Sequence, residues 1–188
     1  MDTLGIVDSR SIAAGAQLAD AMAKAAPVDL LRASVVCVGR FLILVSGDRA
    51  AVETSVHAAR QSGWKLAASY VVPRVSRQVL DVLRGTPPSP PPGPAALGVI
   101  ECRNAADGVI AADAAVKRAD VVLARMVLGQ GIGGKSYFVF TGDVEAVREA
   151  AAAAAETLGD SLLHKVVIPQ PDPAVTRALA GFASPKAS

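Results

Sequence analysis

The chain has 188 residues, of which 52% are apolar but only 4% aromatic, with a net charge of +2 and a mean hydropathy of +0.39. Alanine carries much of the apolar share, no stretch offers the ~20 apolar residues of a membrane-spanning helix, and no basic run supplies the footprint of a nucleic-acid binder. Two cysteines, Cys37 and Cys102, make no disulfide framework, and the start MDTLGIVDSRS lacks the n-region and apolar core of a signal peptide, so a cytosolic address is expected.

In chain order, LGIVD reads as a strand, followed by a helix over SIAAGAQLADAMAKAA. Ile12, Ala16, Ala19, Met22, Ala23 and Ala26 recur along it at three-to-four spacing, which predicts its buried stripe. LLRASVV and RFLILVSG are β-branched and aliphatic runs that meet at a short turn containing Gly39. A second helix, DRAAVETSVHAARQSG, has Asp48 at its N-cap and Gly63 as its stop. The strand KLAASYVVP and a short helix SRQVLDVL complete the first set.

The same order then returns. Residues 4–32 align without gaps onto 97–125, and thirteen of the 29 positions are identical, among them Gly5/Gly98, Asp20/Asp113 and Lys24/Lys117. The offset grows from 93 to 95 at Gly47-Asp48 against Gly142-Asp143, then to 96 at Pro73 against Pro169. Between the copies lies GTPPSPPPGP, six prolines in ten residues, with the composition of a semi-rigid spacer. Two domains, 1–84 and 95–188, joined by a linker at 85–94, are expected. Each is an α+β sandwich of ferredoxin-like character, an antiparallel sheet with helices on one face. At about 85 to 90 residues each half would be marginal alone, which predicts burial between halves and between subunits.

One motif points elsewhere. Residues 129–136, GQGIGGKS, fit the phosphate-binding pattern G-x-x-x-x-G-K-[ST]. A phosphate cradle needs a helix opening at its Lys-Ser end. Here SYFVF follows, a strand composition, and the next helix opens only near Asp143. The loop therefore lies between two strands, and nucleotide binding is the minor reading.

No catalytic constellation emerges. Asp20, Asp113 and Glu101 have no basic or nucleophilic partner nearby in sequence, and His57 and His164 are isolated. On the residues alone, Cys37 and Cys102 sit as packing cysteines, and Lys24 and Lys117 as solvated helix lysines.

The pattern LGIVDSRSIAAGAQLADAMAKA, a Gly-centred turn, GD with a helix, then VVPR resembles the bacterial microcompartment shell domain. Two copies opening with LGIVD and LGVIE resemble the non-permuted tandem shell proteins, over nearly the whole chain apart from the linker and C-terminal tail. The resemblance implies a structural shell protein, not an enzyme. Such a protein assembles as a homotrimer imitating a hexamer and tiles the shell facet of a cytoplasmic microcompartment. Its pore would be lined by Cys37, Val38, Gly39 and Arg40 of the first repeat and Ile132, Gly133, Gly134 and Lys135 of the second. Tile edges would be Lys24, Arg74 and Lys117, with Gln170 at the place of Arg74 in the second repeat. Implied partners are other copies, other shell proteins at the edges and encapsulated redox enzymes, with neither nucleic acid nor membrane. In one branch of this class the pore carries an iron–sulfur cluster. Its turn reads Cys-Pro-Gly-Lys where this chain reads Cys37-Val38-Gly39-Arg40. The resemblance thus implies one [4Fe–4S] cluster per trimer with Cys37 as ligand; an open or gated metabolite pore is the alternative. The rival class is a ferredoxin-like trimeric ligand-binding or regulatory protein, or a nucleotide binder through GQGIGGKS.

Overall fold

A computed structural model describes residues 2–86 and 96–181. The strands are β1 (Thr3–Ser9), β2 (Asp29–Val36), β3 (Arg40–Gly47), β4 (Leu66–Val72), β5 (Ala96–Cys102), β6 (Val121–Leu128), β7 (Ser136–Gly142) and β8 (Leu162–Pro169). The helices are α1 (Ile12–Ala25), α2 (Arg49–Arg60), α3 (Arg77–Leu83), α4 (Ala105–Arg118), α5 (Val144–Leu158) and α6 (Pro173–Ala180). Most of the linker, from residue 87 on, lies outside the described residues.

The repeat seen in the sequence is a repeat of topology. The two antiparallel sheets run β2-β3-β1-β4 and β6-β7-β5-β8. Even the irregularities recur: the register shifts at Leu30/Arg32 and at Leu123/Arg125, and again at Asp8/Ser9 and at Glu101/Cys102. All four shifts keep the repeat offset of 93, so both copies bend their strands at the same places.

Two compact units result. The first takes the chain up to Val75 together with Gly129–Gly134; the second takes Ser76–Leu128 and the chain from Lys135 on. In the first unit α1 and α2 cover one sheet face, packing Leu18, Met22, Val52 and Val56 against Val7, Ile43 and Val45. The expected stripe on α1 is corrected here. Its buried residues are Ala14, Gly15, Leu18, Ala19 and Met22, while Ile12 is exposed. The helix is rotated because Gly15 is its point of closest approach: a Cβ there would stand 2.3 Å from Phe41 Cβ.

In the second unit α4 and α5 bury alanines against one another, and α6 packs on the opposite sheet face over Leu97, Ala124 and Val139. The helix α3, which follows the first sheet in sequence, belongs to this unit. Its Gln78 side chain bridges the edge strand β6, donating to Val121 O at 2.9 Å and accepting from Leu123 N at 2.8 Å. The preceding Ser76 N–H donates to Asp113 Oδ1 at 2.7 Å. A side-chain amide here takes the place of a neighbouring strand, satisfying backbone groups that an edge leaves open. Among the described residues no helix is long and apolar enough to cross a membrane.

Candidate functional site: the two hairpin turns

Two hairpin tips carry the residues expected at a pore. The first, between β2 and β3, holds Cys37, Val38 and Gly39. Val38 and Gly39 both have positive φ, 61° and 73°. That combination suits Asn-Gly in a tight turn, and a β-branched residue there is strained. Val38 is also 75% exposed, so packing does not offset the strain. Replacing Val38 with asparagine should therefore stabilise the protein by about 1 kcal/mol, read as a rise of about 2–4 °C in thermal midpoint.

The second tip, between β6 and β7, is GQGIGGK. Its glycines at 129, 131, 133 and 134 all have positive φ. Gly129 permits close approach as well, since a Cβ there would stand 2.7 Å from Val36 Cβ. Gly129–Gly134 folds onto the end of β2 within the first unit. Three hydrogen bonds fasten it there. Cys37 N–H donates to Gly129 O at 2.9 Å, Gln130 Nε2 donates to Val35 O at 3.2 Å, and Gly131 N–H donates to Cys37 Sγ at 3.1 Å. Backbone N–H groups facing the sulfur, Gly134 foremost, hold the Cys37 thiol below its ordinary pKa; desolvation opposes this, and Gly131, Ile132 and Gly133 add to it.

The structure thus brings Cys37 and Val38 together with the 129–134 loop. Gly134 lies beside Val38: a Cβ there would be 3.2 Å from Val38 Cγ2. The basic residue of each tip is anchored at its root. Arg40 grips Asp8 with two nitrogens, Nε to Oδ1 at 2.9 Å and Nη2 to Oδ2, and Asp8 is fully buried. Lys135 Nζ pairs with Glu101 Oε1 at 2.9 Å, half exposed. Asp8 and Glu101 were not read as site residues. Their signal was the repeat itself, an acid closing each LGIVD or LGVIE strand and a base following each turn.

The view that Asp20, Asp113 and Glu101 lack partners is corrected. Asp20 pairs with Lys24 at 2.7 Å and Asp113 with Lys117 at 2.5 Å, each one helical turn on, while Glu101 holds Lys135. These pairs are structural, joining a carboxylate to a lysine with no nucleophile between them. The two expected edge lysines also differ. Lys24 and Asp20 are largely exposed, whereas Asp113 is nearly buried beneath Ser76. Arg74 and Gln170 follow β4 and β8 at the repeat offset of 96, and both hold left-handed backbone, φ 52° and 47°. Strain retained at the same position in both copies marks that turn as constrained.

Cys102 is fully buried, lies near Gly108 and has its thiol pushed up to about 11, mainly by desolvation. It is a packing cysteine. His57 and His164 join no metal-binding group, and no cluster of three or more His, Cys, Asp or Glu side chains occurs among the described residues.

GQGIGGKS itself is no phosphate cradle. Ser136 opens strand β7, is fully buried and donates to Asn104 O at 2.6 Å. No helix begins there, so neither a helix N-terminus nor a free hydroxyl meets an anion.

A doubled four-stranded sheet with order β2-β3-β1-β4, flanking helices and glycine-rich tips defines the class. The BMC domain family matches residues 3–75 and 96–171, and the chain belongs to that family as a tandem-domain bacterial microcompartment shell protein. It is 36% identical to the bacterial microcompartment shell protein PduT of Citrobacter freundii, over 94% of this chain and 96% of that one. The carboxysome shell protein CsoS1B of Halothiobacillus neapolitanus is 34% identical over 45% of this chain and 80% of its own length, the footprint of a single domain. A crystal structure of a microcompartment protein from Desulfitobacterium hafniense superposes with a TM-score of 0.87 at 40% identity, covering 94% of this chain and 99% of that one. The fused permuted hexameric shell protein MSM0275 shares the fold, with a TM-score of 0.58 at 23% identity, 85% of this chain and 84% of that one. The ligand-binding and nucleotide alternatives find no support in these relatives.

Proposed function

We propose that the protein is a structural facet tile rather than an enzyme: a homotrimer whose six BMC domains imitate a hexamer around one pore. The observation that carries this reading is the doubled domain itself, matched across nearly its whole length by a tandem shell protein. The domain limits 1–84 and 95–188, with the spacer 85–94 between them, belong to the same reading. Other shell proteins meet the trimer at Lys24, Arg74 and Lys117, within the shell of a cytoplasmic microcompartment, and encapsulated redox enzymes are its partners on the inner side. The pore is lined by residues 37–40 and 132–135. With Arg40 bound to Asp8 and Lys135 to Glu101, their charges are partly neutralised at the root of each turn, so the tips themselves carry little free charge.

Cys37 is the proposed ligand of one [4Fe–4S] cluster per trimer. Such a cluster takes thiolate ligands, and one chain presents a single partly exposed cysteine, so one chain alone does not hold it. Three copies about an axis supply three thiolates. Cys37 suits that role in two respects: it stands at a hairpin tip, and N–H groups surround its sulfur. When bound, the cluster supplies one-electron transfer. An open metabolite pore is the second reading, favoured by the four glycines among the six residues of the 129–134 loop. Anaerobic reconstitution with iron and sulfide should give a brown protein with about one cluster per trimer. Cys37→Ser should lose the colour and Cys102→Ser should keep it. A colourless wild type, or colour that survives Cys37→Ser, supports the open pore instead.

A further inference from the structure

The hydrogen bond from Gly131 N–H to Cys37 Sγ, 3.1 Å long, joins residues 94 apart in sequence. It is part of a built contact. Cys37 N–H to Gly129 O and Gln130 Nε2 to Val35 O flank it on either side. Successive left-handed glycines turn the backbone of this loop toward the sulfur. The loop carries no titratable side chain, and the nearest cation in sequence, Arg40, is committed to Asp8. Backbone dipoles are therefore the polar groups directed at Sγ from this loop. Cys102, by contrast, stands in the second sheet with a buried thiol pushed up to about 11 by desolvation.

We infer that the Gly129–Gly134 loop of the second repeat serves the cysteine of the first, as a set of N–H donors that orients Cys37 Sγ and tunes the potential of the cluster it ligates. The inference rests on the reading of Cys37 as a cluster ligand. Hydrogen bonds to the ligand sulfurs are among the factors that set cluster potentials, and outer-shell partners orient first-shell ligands. An N–H dipole aimed at sulfur favours the more negative, reduced cluster, so the loop raises the midpoint potential. It also explains why the two hairpin tips differ in length. Between the equivalent pairs Val35↔Phe41 and Leu128↔Ser136 the first tip has five residues and the second seven. The longer tip is the one that reaches the sulfur. Gln130 and Gly131 are thus positioning residues.

Two variants of the full-length protein test this. Deleting Gln130 and Gly131 gives the second tip the length of the first and removes both the tether and the donor at 3.1 Å. Gln130→Ala removes the tether alone and leaves the chain length unchanged. Each is reconstituted beside the wild type, iron per chain is counted, and the midpoint potential is measured by redox titration of the visible band. The expected result is unchanged iron content with a lower potential in both variants, the larger shift in the deletion. Faster bleaching in air should accompany it. A coloured wild type whose potential is matched by both variants overturns the role of the loop and leaves Cys37 as ligand. A colourless wild type overturns the ligand reading and this inference with it. If the deletion fails to fold, the potential of Gln130→Ala decides: a lowered value supports the inference and an unchanged one overturns it.

Discussion

Replacing Arg40 with alanine should lower the stability of the protein by about 3 kcal/mol, the order expected when a buried carboxylate loses its charged partner. Asp8 is fully buried at the end of β1, and Arg40 opens β3 with its side chain about one-fifth exposed, gripping both carboxylate oxygens. Removing the guanidinium leaves Asp8 charged and enclosed. The matching change in the second repeat, Lys135→Ala, should cost less than ~1 kcal/mol. That pair is half exposed and monodentate, so water takes over what the lysine gave. Urea unfolding of the two variants checks the contrast. Combining Asp8→Asn with Arg40→Ala should recover a good part of the loss, because the double variant buries no uncompensated charge. Equal costs in the two repeats would show that the buried pair has no special weight.

Gly15→Ala should destabilise by about 2 kcal/mol even though alanine is the better helix former. The added methyl would meet Phe41 Cβ at 2.3 Å, an atom fixed to the backbone of β3, so α1 must lift from its sheet. Gly108 holds the same place in the second repeat, yet its methyl would meet the Ser136 hydroxyl at 2.1 Å. That group turns away by rotating about χ1, at the cost of its bond to Asn104 O. Gly108→Ala should therefore be the milder of the two. Thermal unfolding of both variants reads the order directly, and the reverse order would show that the helix-to-sheet distance is not set at these glycines.

Much of this was legible in the sequence. The run RFLILVSG coincides with β3 residue for residue. Phe41, Ile43 and Val45 on the helix-covered face and Leu42 and Leu44 on the other face are all buried, and a strand buried on both faces is written as a continuous apolar run. The repeat, the hairpin between β6 and β7, and the absence of a helix after GQGIGGKS were equally plain. The buried side of α1 was not. Its alanines lie on every face, so apolar spacing carries little phase information, and Gly15 rather than Ile12 marks the contact. Nor did the sequence say that α3 would cap β6 through Gln78, since an edge strand accepts its cover from any nearby amide.

At the site, local spacing located the two turns but gave no sign of what they touch. Asp8 and Arg40 are 32 residues apart, and Cys37 and Gly131 are 94 apart. The repeat offered the first of these contacts as an aligned acid and base. It did not offer the second, because the loop that reaches Cys37 is the place where the two copies differ in length.

Sedimentation velocity of the wild type beside Lys24→Glu/Lys117→Glu tests the facet-tile assignment most directly. The exposed Lys24–Asp20 pair and the better buried Lys117–Asp113 pair both lie on helix surfaces assigned to the tile edge. Each edge contact is small, about 1 kcal/mol or less, but a lattice repeats it around every tile. The wild type should sediment as large sheets, and the charge-reversed variant as a single species of three 19.1 kDa chains. A wild type that sediments at micromolar concentration as one 19.1 kDa chain would contradict the account.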